Sequence, residues 1–367
     1  MGVLRLILAL AVLISHTPSS SGLIPRFIHP VLAVHIFYVI SGFYMQLVIP
    51  KYLEQTGGIK SFYTNRFLRI FPIYWVVLIC SMILFKDQIA YILHAALPMK
   101  IFYIFSSVFI LGQDLRNTDM GFGLGFIPLS LVPQAWTLVP EILFYIFAPF
   151  LLKKSSYILL GIIIFSITLR IVLYNFGFNL SFWHYLFFPI ELGTFLLGSL
   201  SCRIYNFAKT NIKCEKLFNY VSLFAFIIIF FNFEMMFLPG QYGGGGAAGP
   251  GTYPSWYWAK ILLTALSLPM LFHFSKDLKI DRYLGDFSYP LYISHFFVIG
   301  LINKLDFSKE GLDVQVILLT FLLSYLLKEY IDKPIHNIKE SFTWSSIYRI
   351  LNLLKVTRDP IKIMAVK

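Results

Sequence analysis

Apolar runs of about 20 residues recur along this chain of 367 residues and constrain its fold more than any other feature of the sequence. A run of this length can cross the hydrocarbon core of a bilayer as an α-helix. Only 13% of the residues are charged, whereas soluble domains carry about 25%. The sequence therefore predicts an all-α integral membrane protein, a bundle of about ten transmembrane helices.

Hydropathy places the predicted spans at residues 4–18, 31–49, 70–86, 136–152, 155–174, 184–204, 217–238, 255–275, 284–303 and 312–331. The apolar stretch 88–112 leaves three alternatives open: an interfacial segment, a re-entrant segment, or one or two further spans. No A-x-A-like cleavage site follows the first run, so we expect a retained helix there and not a signal peptide. We expect the multi-pass domain to occupy residues 1–334 and a basic cytoplasmic tail to occupy residues 335–367.

The distribution of Lys and Arg predicts the orientation. With the N-terminus inside and 88–112 not crossing the membrane, 22 of the 30 basic residues fall in segments that face the cytoplasm, as the positive-inside rule requires. Both termini are therefore expected in the cytoplasm, and the membrane is expected to be a bacterial inner membrane. Topology and attraction to anionic lipid account for the net charge of +12, so no nucleic-acid partner is predicted.

Cysteine, histidine and glycine patterns argue against three other kinds of site. The three cysteines lie in apolar or cytoplasmic segments and imply no disulfide framework. The histidines show no HExxH or other short metal-ligand spacing, so no metal is predicted. The glycine-rich stretch Gly240–Gly251 lacks the Gly-Lys-Ser/Thr ending of a P-loop and is predicted to be a flexible outer loop.

His16 lies in the first predicted span, eleven residues after Arg5. This spacing is close to three helical turns, so the two side chains share one face roughly 16 Å apart along the axis. With Arg5 at one membrane surface, His16 is expected near the midplane. An intramembrane imidazole is a functional-site hypothesis by default, and a neutral one can take a proton from a hydroxyl. The alternative is a buried histidine bonded to a backbone carbonyl.

Arg66 and Arg69 stand three residues apart at the inner end of the third span and share one helix face. Guanidinium groups bind phosphate in a bidentate manner, so the pair predicts an anion clamp at the cytoplasmic surface. Anchoring by the positive-inside rule is the alternative.

Glu141 is the only carboxylate in the fourth span and is predicted about 7–8 Å below Trp136, an aromatic anchor at the outer interface. It either orients an acceptor, pairs with protonated His16, or pairs with a buried arginine such as Arg170. In the ninth span, His295 is predicted to form hydrogen bonds between helices in the core.

Several motifs in register resemble the membrane-bound acyltransferase-3 family over residues 1 to about 340. They are RLILALAVLISH from Arg5, FYVISGF at 37–43, NRFLRIFPIYW at 65–75, WTLVPEILFY at 136–145, LGDFSYPLYISH at 284–295 and EYIDKP at 329–334. Two positions depart from the family pattern. His35 stands where an acidic residue is usual, and Pro140 directly precedes Glu141, where we expect it to bend the local geometry.

The resemblance implies an O-acetyltransferase that moves an acyl group, expected to be acetyl, from acyl-coenzyme A to a hydroxyl of a cell-surface carbohydrate or lipid-linked glycan. Acyl-coenzyme A is a co-substrate, and no permanently bound cofactor is expected. The implied site is catalytic His16 and Glu141, donor-binding Arg5, Arg66, Arg69 and Tyr74, and, for acceptor or structural support, Ser41, Trp136, Tyr292 and His295. His16 is either the base or a transient acyl carrier. A polysaccharide flippase or polymerase, or a transporter, remains the alternative.

Overall fold

A computed structural model describes residues 1–17, 28–55, 57–94, 96–115, 130–178, 183, 186–210, 220–227, 255–305 and 311–336. These residues form helices and connecting turns, and no strand occurs among them. The helices are α1 Gly2–His16, α2 Pro30–Leu53, α3 Gly58–Leu84, α4 Lys86–His94, α5 Leu97–Phe109, α6 Leu138–Leu151, α7 Ser156–Asn175, α8 Phe188–Lys209, α9 Ser255–Ser275, α10 Lys279–Gly285, α11 Ser288–Lys304 and α12 Leu312–Leu327. A 3₁₀ helix at Pro133–Thr137 leads into α6, and a π-helical turn at Lys328–Asp332 follows α12.

Six helical segments of the described chain are long and apolar enough to cross a membrane. They are Pro30–Leu53, Gly58–Leu84, Pro133–Leu151, Ser156–Asn175, Tyr257–Ser275 and Leu312–His336. An all-α protein with membrane-spanning helices is thus confirmed, but the predicted count of about ten is not. The helix α11 has 17 residues, or about 25 Å, less than the roughly 30 Å of a bilayer core. Most of the predicted span 217–238 lies outside the described residues.

The stretch 88–112 contains two short helices and no single straight span. The helices α4 and α5 have 9 and 13 residues, and neither alone crosses a bilayer. The C-terminal end of α5 packs against the middle of α3. Trp75 Nε1 donates to the carbonyl of Val108 at 2.9 Å, and the Tyr74 hydroxyl donates to the carbonyl of Ser107.

Small residues bring α2 and α8 into close contact. A Cβ on Gly42 would lie 1.8 Å from the carbonyl oxygen of Phe195, and one on Gly198 would lie 1.8 Å from that of Val39. The Ser199 hydroxyl donates to the Gly42 carbonyl at 3.1 Å. Helices in lipid associate through close backbone approach of this kind. The contact fixes the position of α2 and therefore of its residue Ser41, which reaches the site described below.

A buried ion cluster joins α2, α7 and α8. Glu191 is fully buried, accepts a hydrogen bond from Arg170 at 3.0 Å and lies 2.9 Å from Nε2 of His35. The carboxylate that meets Arg170 is therefore Glu191 and not Glu141, which corrects one alternative for Glu141. His35, where the sequence departs from the family pattern, contacts a carboxylate supplied by α8.

Candidate functional site

A cavity of about 710 Å³ opens among α1, α2, α3, α6, α10, α11 and the π-helical turn. Its lining on α2 runs from Val34 to Val48, roughly 21 Å along the helix axis. The charged side chains of its wall are Arg5, Arg66, Arg69, Glu141, Arg282, Asp286, Lys328, Glu329, Asp332 and Lys333. Because cations outnumber carboxylates among these residues, the cavity is suited to an anionic ligand.

The three predicted donor-binding arginines meet in this cavity. Arg5 comes from α1, and Arg66 and Arg69 come from α3. The Nε atoms of Arg5 and Arg66 are buried and have no hydrogen-bond partner within the described part of the chain. A buried donor without an acceptor is costly, so both guanidinium groups are prepared for an anion.

Local packing explains how α1 presents Arg5. Asp281 of α10 accepts hydrogen bonds from the backbone N–H groups of Gly2 at 2.7 Å and Val3 at 2.9 Å, which satisfies donors at the start of α1. A Cβ on Gly285 would lie 2.6 Å from Nη2 of Arg5. The glycine therefore leaves the space that the guanidinium occupies.

Glu141 lines the same cavity and is held by two hydroxyl groups. Its Oε1 accepts hydrogen bonds from Tyr145 at 2.5 Å and from Ser41 at 3.2 Å. Pro140 lies in the first turn of α6, where a backbone N–H has no intrahelical acceptor in any case. The expected bend at Glu141 is therefore wrong, and α6 runs unbroken from Leu138 to Leu151.

His16 lies outside the cavity wall. It is the last residue of α1 and is exposed, and its predicted depth near the membrane midplane stays a prediction. Its Nδ1 donates to the Val12 carbonyl at 2.8 Å, so Nε2 carries the lone pair of the neutral ring. The ring packs on His295 and Phe296, with centroid distances of 5.4 and 4.7 Å.

Tyr292 and His295 stand between the cavity and His16. The Tyr292 hydroxyl lines the cavity and bonds the Thr137 hydroxyl at 2.6 Å. His295 is fully buried and its Nδ1 donates to the Tyr292 carbonyl at 2.5 Å. The hydrogen bond between helices thus comes from Tyr292, whereas that of His295 stays within α11.

Comparison with known proteins shows which family the chain belongs to. The model of the acyltransferase-3 family, described as an acyltransferase domain, matches residues 1–329. The chain belongs to the acyltransferase-3 family. The resemblance that the motifs indicated is confirmed.

Two curated relatives of this acyltransferase-3 chain come from Staphylococcus aureus, and each is named "Putative O-acetyltransferase". The protein of strain MRSA252 is 27% identical over 356 residues, which is 86% of this chain and 54% of the relative. The protein of strain COL is 26% identical over 306 residues, 74% of this chain and 46% of the relative. The chain thus spans about half the length of the curated relatives it matches. No solved structure matches it.

Besides His16 and His295, two further predicted site residues of the acyltransferase-3 chain do not reach the cavity. The Tyr74 hydroxyl is buried, donates to Ser107 and accepts from Gln113 Nε2 at 2.7 Å. It holds α5 against α3 and does not line the cavity, and its predicted role in donor binding stays a prediction. Trp136 is partly buried in the 3₁₀ helix that precedes α6 and is also absent from the cavity wall.

Sequence reasoning missed the charged residues that close the mouth of the cavity. Most follow one another on the π-helical turn after α12, namely Lys328, Glu329, Asp332 and Lys333. Ile335 and His336, at the start of the predicted tail, continue this helix and also line the cavity. The rest of that tail lies outside the described residues. The alternating charges of the EYIDKP motif were the available signal.

Proposed function

We propose that this chain is an integral membrane O-acyltransferase that moves an acetyl group from acetyl-coenzyme A to a hydroxyl of a cell-surface carbohydrate or lipid-linked glycan. Membership of the acyltransferase-3 family supports acyl transfer. The names of the two relatives support acetyl as the group that is transferred and oxygen as the acceptor atom. Because the chain spans only about half the length of these relatives, the activity of the whole protein has to be tested directly.

One observation supports acyl-coenzyme A as the acyl donor. Three arginines of α1 and α3 line one cavity. The Nε–H groups of Arg5 and Arg66 are buried and have no hydrogen-bond acceptor among the described residues. The phosphates of coenzyme A match these donors, because charge-assisted hydrogen bonds to phosphate are short and strong. The arm of coenzyme A, with its amide groups, then extends along the cavity. Glu141 lines this cavity beside the arginines, which favours a contact with the donor over the acceptor role predicted from sequence.

His16 is the proposed base. Its Nδ1–H bond to Val12 makes Nε2 the basic nitrogen of the neutral ring, and Nε2 takes the proton of the acceptor hydroxyl as the hydroxyl oxygen attacks the thioester carbonyl. The new C–O bond forms and the C–S bond breaks. The proton then passes from His16 to the sulfur of coenzyme A, so His16 returns to its neutral state.

Removal of the arginine pair tests the donor site. Arg66→Ala plus Arg69→Ala should weaken acetyl-coenzyme A binding by tens-fold or more, because each lost charge-assisted bond is worth about 1.5–3 kcal/mol. Isothermal titration calorimetry on purified protein in nanodiscs measures the affinity. Lys153→Ala plus Lys154→Ala is the matched control, since it removes two exposed cations elsewhere. Equal affinity in both double variants would refute the donor site.

The proposed orientation puts both termini and the loop after α6 in the cytoplasm. In a background without native cysteines, Lys153→Cys should react with an impermeant thiol reagent only from the inner face. Gly244→Cys, in the predicted outer loop, should react from the outer face. Labelling of both from one side would overturn this orientation.

A further inference from the structure

The described cavity does not reach the proposed base. Arg5 lines it, but His16, eleven residues further along α1, does not. A thioester bound by the arginines must therefore travel past the side chains that separate the cavity from His16. Those side chains are on α11, where Tyr292 and His295 stand three residues apart on one face.

Three rings form a continuous row from the cavity to the base. Tyr292 contributes to the cavity wall, and its ring centroid lies 5.8 Å from that of His295. The His295 ring lies 5.4 Å from that of His16. Across the entrance to this row, the Tyr292 hydroxyl bonds Thr137 at 2.6 Å.

His295 carries an unsatisfied acceptor in this row. Its Nδ1–H is donated to the Tyr292 carbonyl, which leaves Nε2 as an acceptor. The side chain is 0% exposed, and Nε2 is buried without a hydrogen-bond partner among the described residues. A buried acceptor in this state calls for a hydrogen-bond donor, and the row of rings connects it to the cavity wall at Tyr292.

We propose that Tyr292 and His295 line the passage by which the thioester arm of the donor reaches His16, and that Nε2 of His295 accepts a hydrogen bond from an amide N–H of that arm. This proposal rests on the proposed function, because it takes acyl-coenzyme A as the donor. The pantetheine arm carries two amide groups in the stretch between the phosphates and the thioester. His295 exchanges no proton in the transfer; it holds the thioester in place beside His16.

Two substitutions by residues with amide side chains test the roles of the two ring nitrogens of His295 one at a time. In His295→Gln the side-chain oxygen replaces the acceptor at Nε2, whereas in His295→Asn the side-chain NH₂ replaces the Nδ1–H that bonds Tyr292. We expect His295→Gln to retain kcat/KM for acetyl-coenzyme A within a few-fold. His295→Asn should lose about 5- to 10-fold, the equivalent of one neutral hydrogen bond.

The acetyl thioester of ethanethiol provides the chemical control, since it has no amide group. Wild type and His295→Asn should use this small donor equally well. Retention of activity by Asn and loss by Gln would assign His295 a structural bond to Tyr292 and overturn the proposal. If wild type transfers acetyl from neither donor, the proposed function itself fails, and the passage fails with it.

A second variant tests the passage without changing His295. Tyr292→Trp should fill the entrance, leaving acetyl-coenzyme A affinity within a few-fold of wild type while transfer falls by about 10²-fold, because small misplacements of reacting groups cost that much. Tyr292→Phe, which keeps the ring and lacks the hydroxyl that bonds Thr137, is the comparison variant and should transfer about tenfold or more faster than Tyr292→Trp, because it adds no bulk at the entrance. Wild-type transfer by Tyr292→Trp would show that the thioester takes another route.

Discussion

Arg69 and Asp332 meet at the mouth of the cavity, where Nη1 of the guanidinium lies 3.4 Å from Oδ2 of the carboxylate. Their side chains are 30% and 18% exposed, and ion pairs with this degree of exposure contribute about 0–1 kcal/mol. Asp332 is thus a weak internal partner of Arg69. If Arg69 binds the phosphates of the proposed donor, the donor competes with Asp332 for it.

We therefore predict that Asp332→Asn tightens acetyl-coenzyme A binding by about 2- to 5-fold, because it frees Arg69 and removes a like charge from the phosphate site. The gain should shrink as salt rises. Titration calorimetry at low and high sodium chloride measures both effects. Weaker binding by Asp332→Asn would mean instead that the carboxylate orients Arg69 for the ligand.

The buried cluster of α2, α7 and α8 yields a prediction on stability. Glu191→Gln leaves Arg170 buried without its charged partner and should lower the free energy of unfolding by about 3–5 kcal/mol. Arg170→Met together with Glu191→Gln removes both charges and should cost clearly less than the two single changes summed. Thermal unfolding of the purified variants provides the comparison. Additive losses would show that the two side chains act independently.

The anchoring of α1 by Asp281 should depend on pH. Burial opposes the charge of this carboxylate, but hydrogen bonds from the Met1 amine and from the backbone N–H groups of Val3 and Gly2 outweigh burial and hold the pKa of Asp281 below its ordinary value. A carboxylate with a lowered pKa contributes stability above its unfolded pKa and loses it as pH falls through the folded pKa.

Asp281→Asn should therefore lower the free energy of unfolding by about 1–2 kcal/mol at neutral pH, because a neutral amide oxygen accepts these hydrogen bonds less strongly than a carboxylate and loses the attraction to the Met1 amine. The difference from wild type should shrink as the pH falls below about 3.9, the ordinary value for Asp. Thermal unfolding across this pH range checks the prediction. A constant difference at all pH values would show that the charge of Asp281 contributes nothing.

Hydropathy and helical spacing predicted the parts of the site that depend on one helix alone. Arg66 and Arg69 line one cavity as their spacing indicated, and Glu141 joins them there. Contacts between distant segments were not predictable in this way. The pairing of His35 with Glu191 requires the packing of α2 on α8. The sequence around either residue does not indicate which residue it pairs with.

The ends of the helices were also predicted poorly from the sequence. The third predicted span began at residue 70, but α3 begins at Gly58, because a helix continues past the apolar window when polar residues at its end reach water. The helix α1 ends at His16, two residues before the predicted end of the first span, and this end makes His16 its last residue. The apolar pattern contains no signal for either boundary.

Loss of His16 tests the mechanism most directly. His16→Ala and His16→Gln should both bind acetyl-coenzyme A with wild-type affinity, since His16 does not line the cavity that holds the arginines. Transfer should fall by about 10²–10⁴-fold, the usual contribution of a general base. Glutamine preserves a hydrogen bond but cannot take the proton, so near-normal transfer by His16→Gln would exclude His16 as the base.

The same residue could act as a transient acyl carrier, and incubation with donor alone separates the two mechanisms. An acyl-histidine intermediate requires wild type to release free coenzyme A in one burst equal to the amount of enzyme, because the acetyl group moves to Nε2 before any acceptor arrives. A base releases none without an acceptor, since it has no proton to remove. We expect no burst, because the exposed position of His16 lets an acceptor hydroxyl meet the thioester directly. A stoichiometric burst that disappears in His16→Ala would replace the base with the carrier.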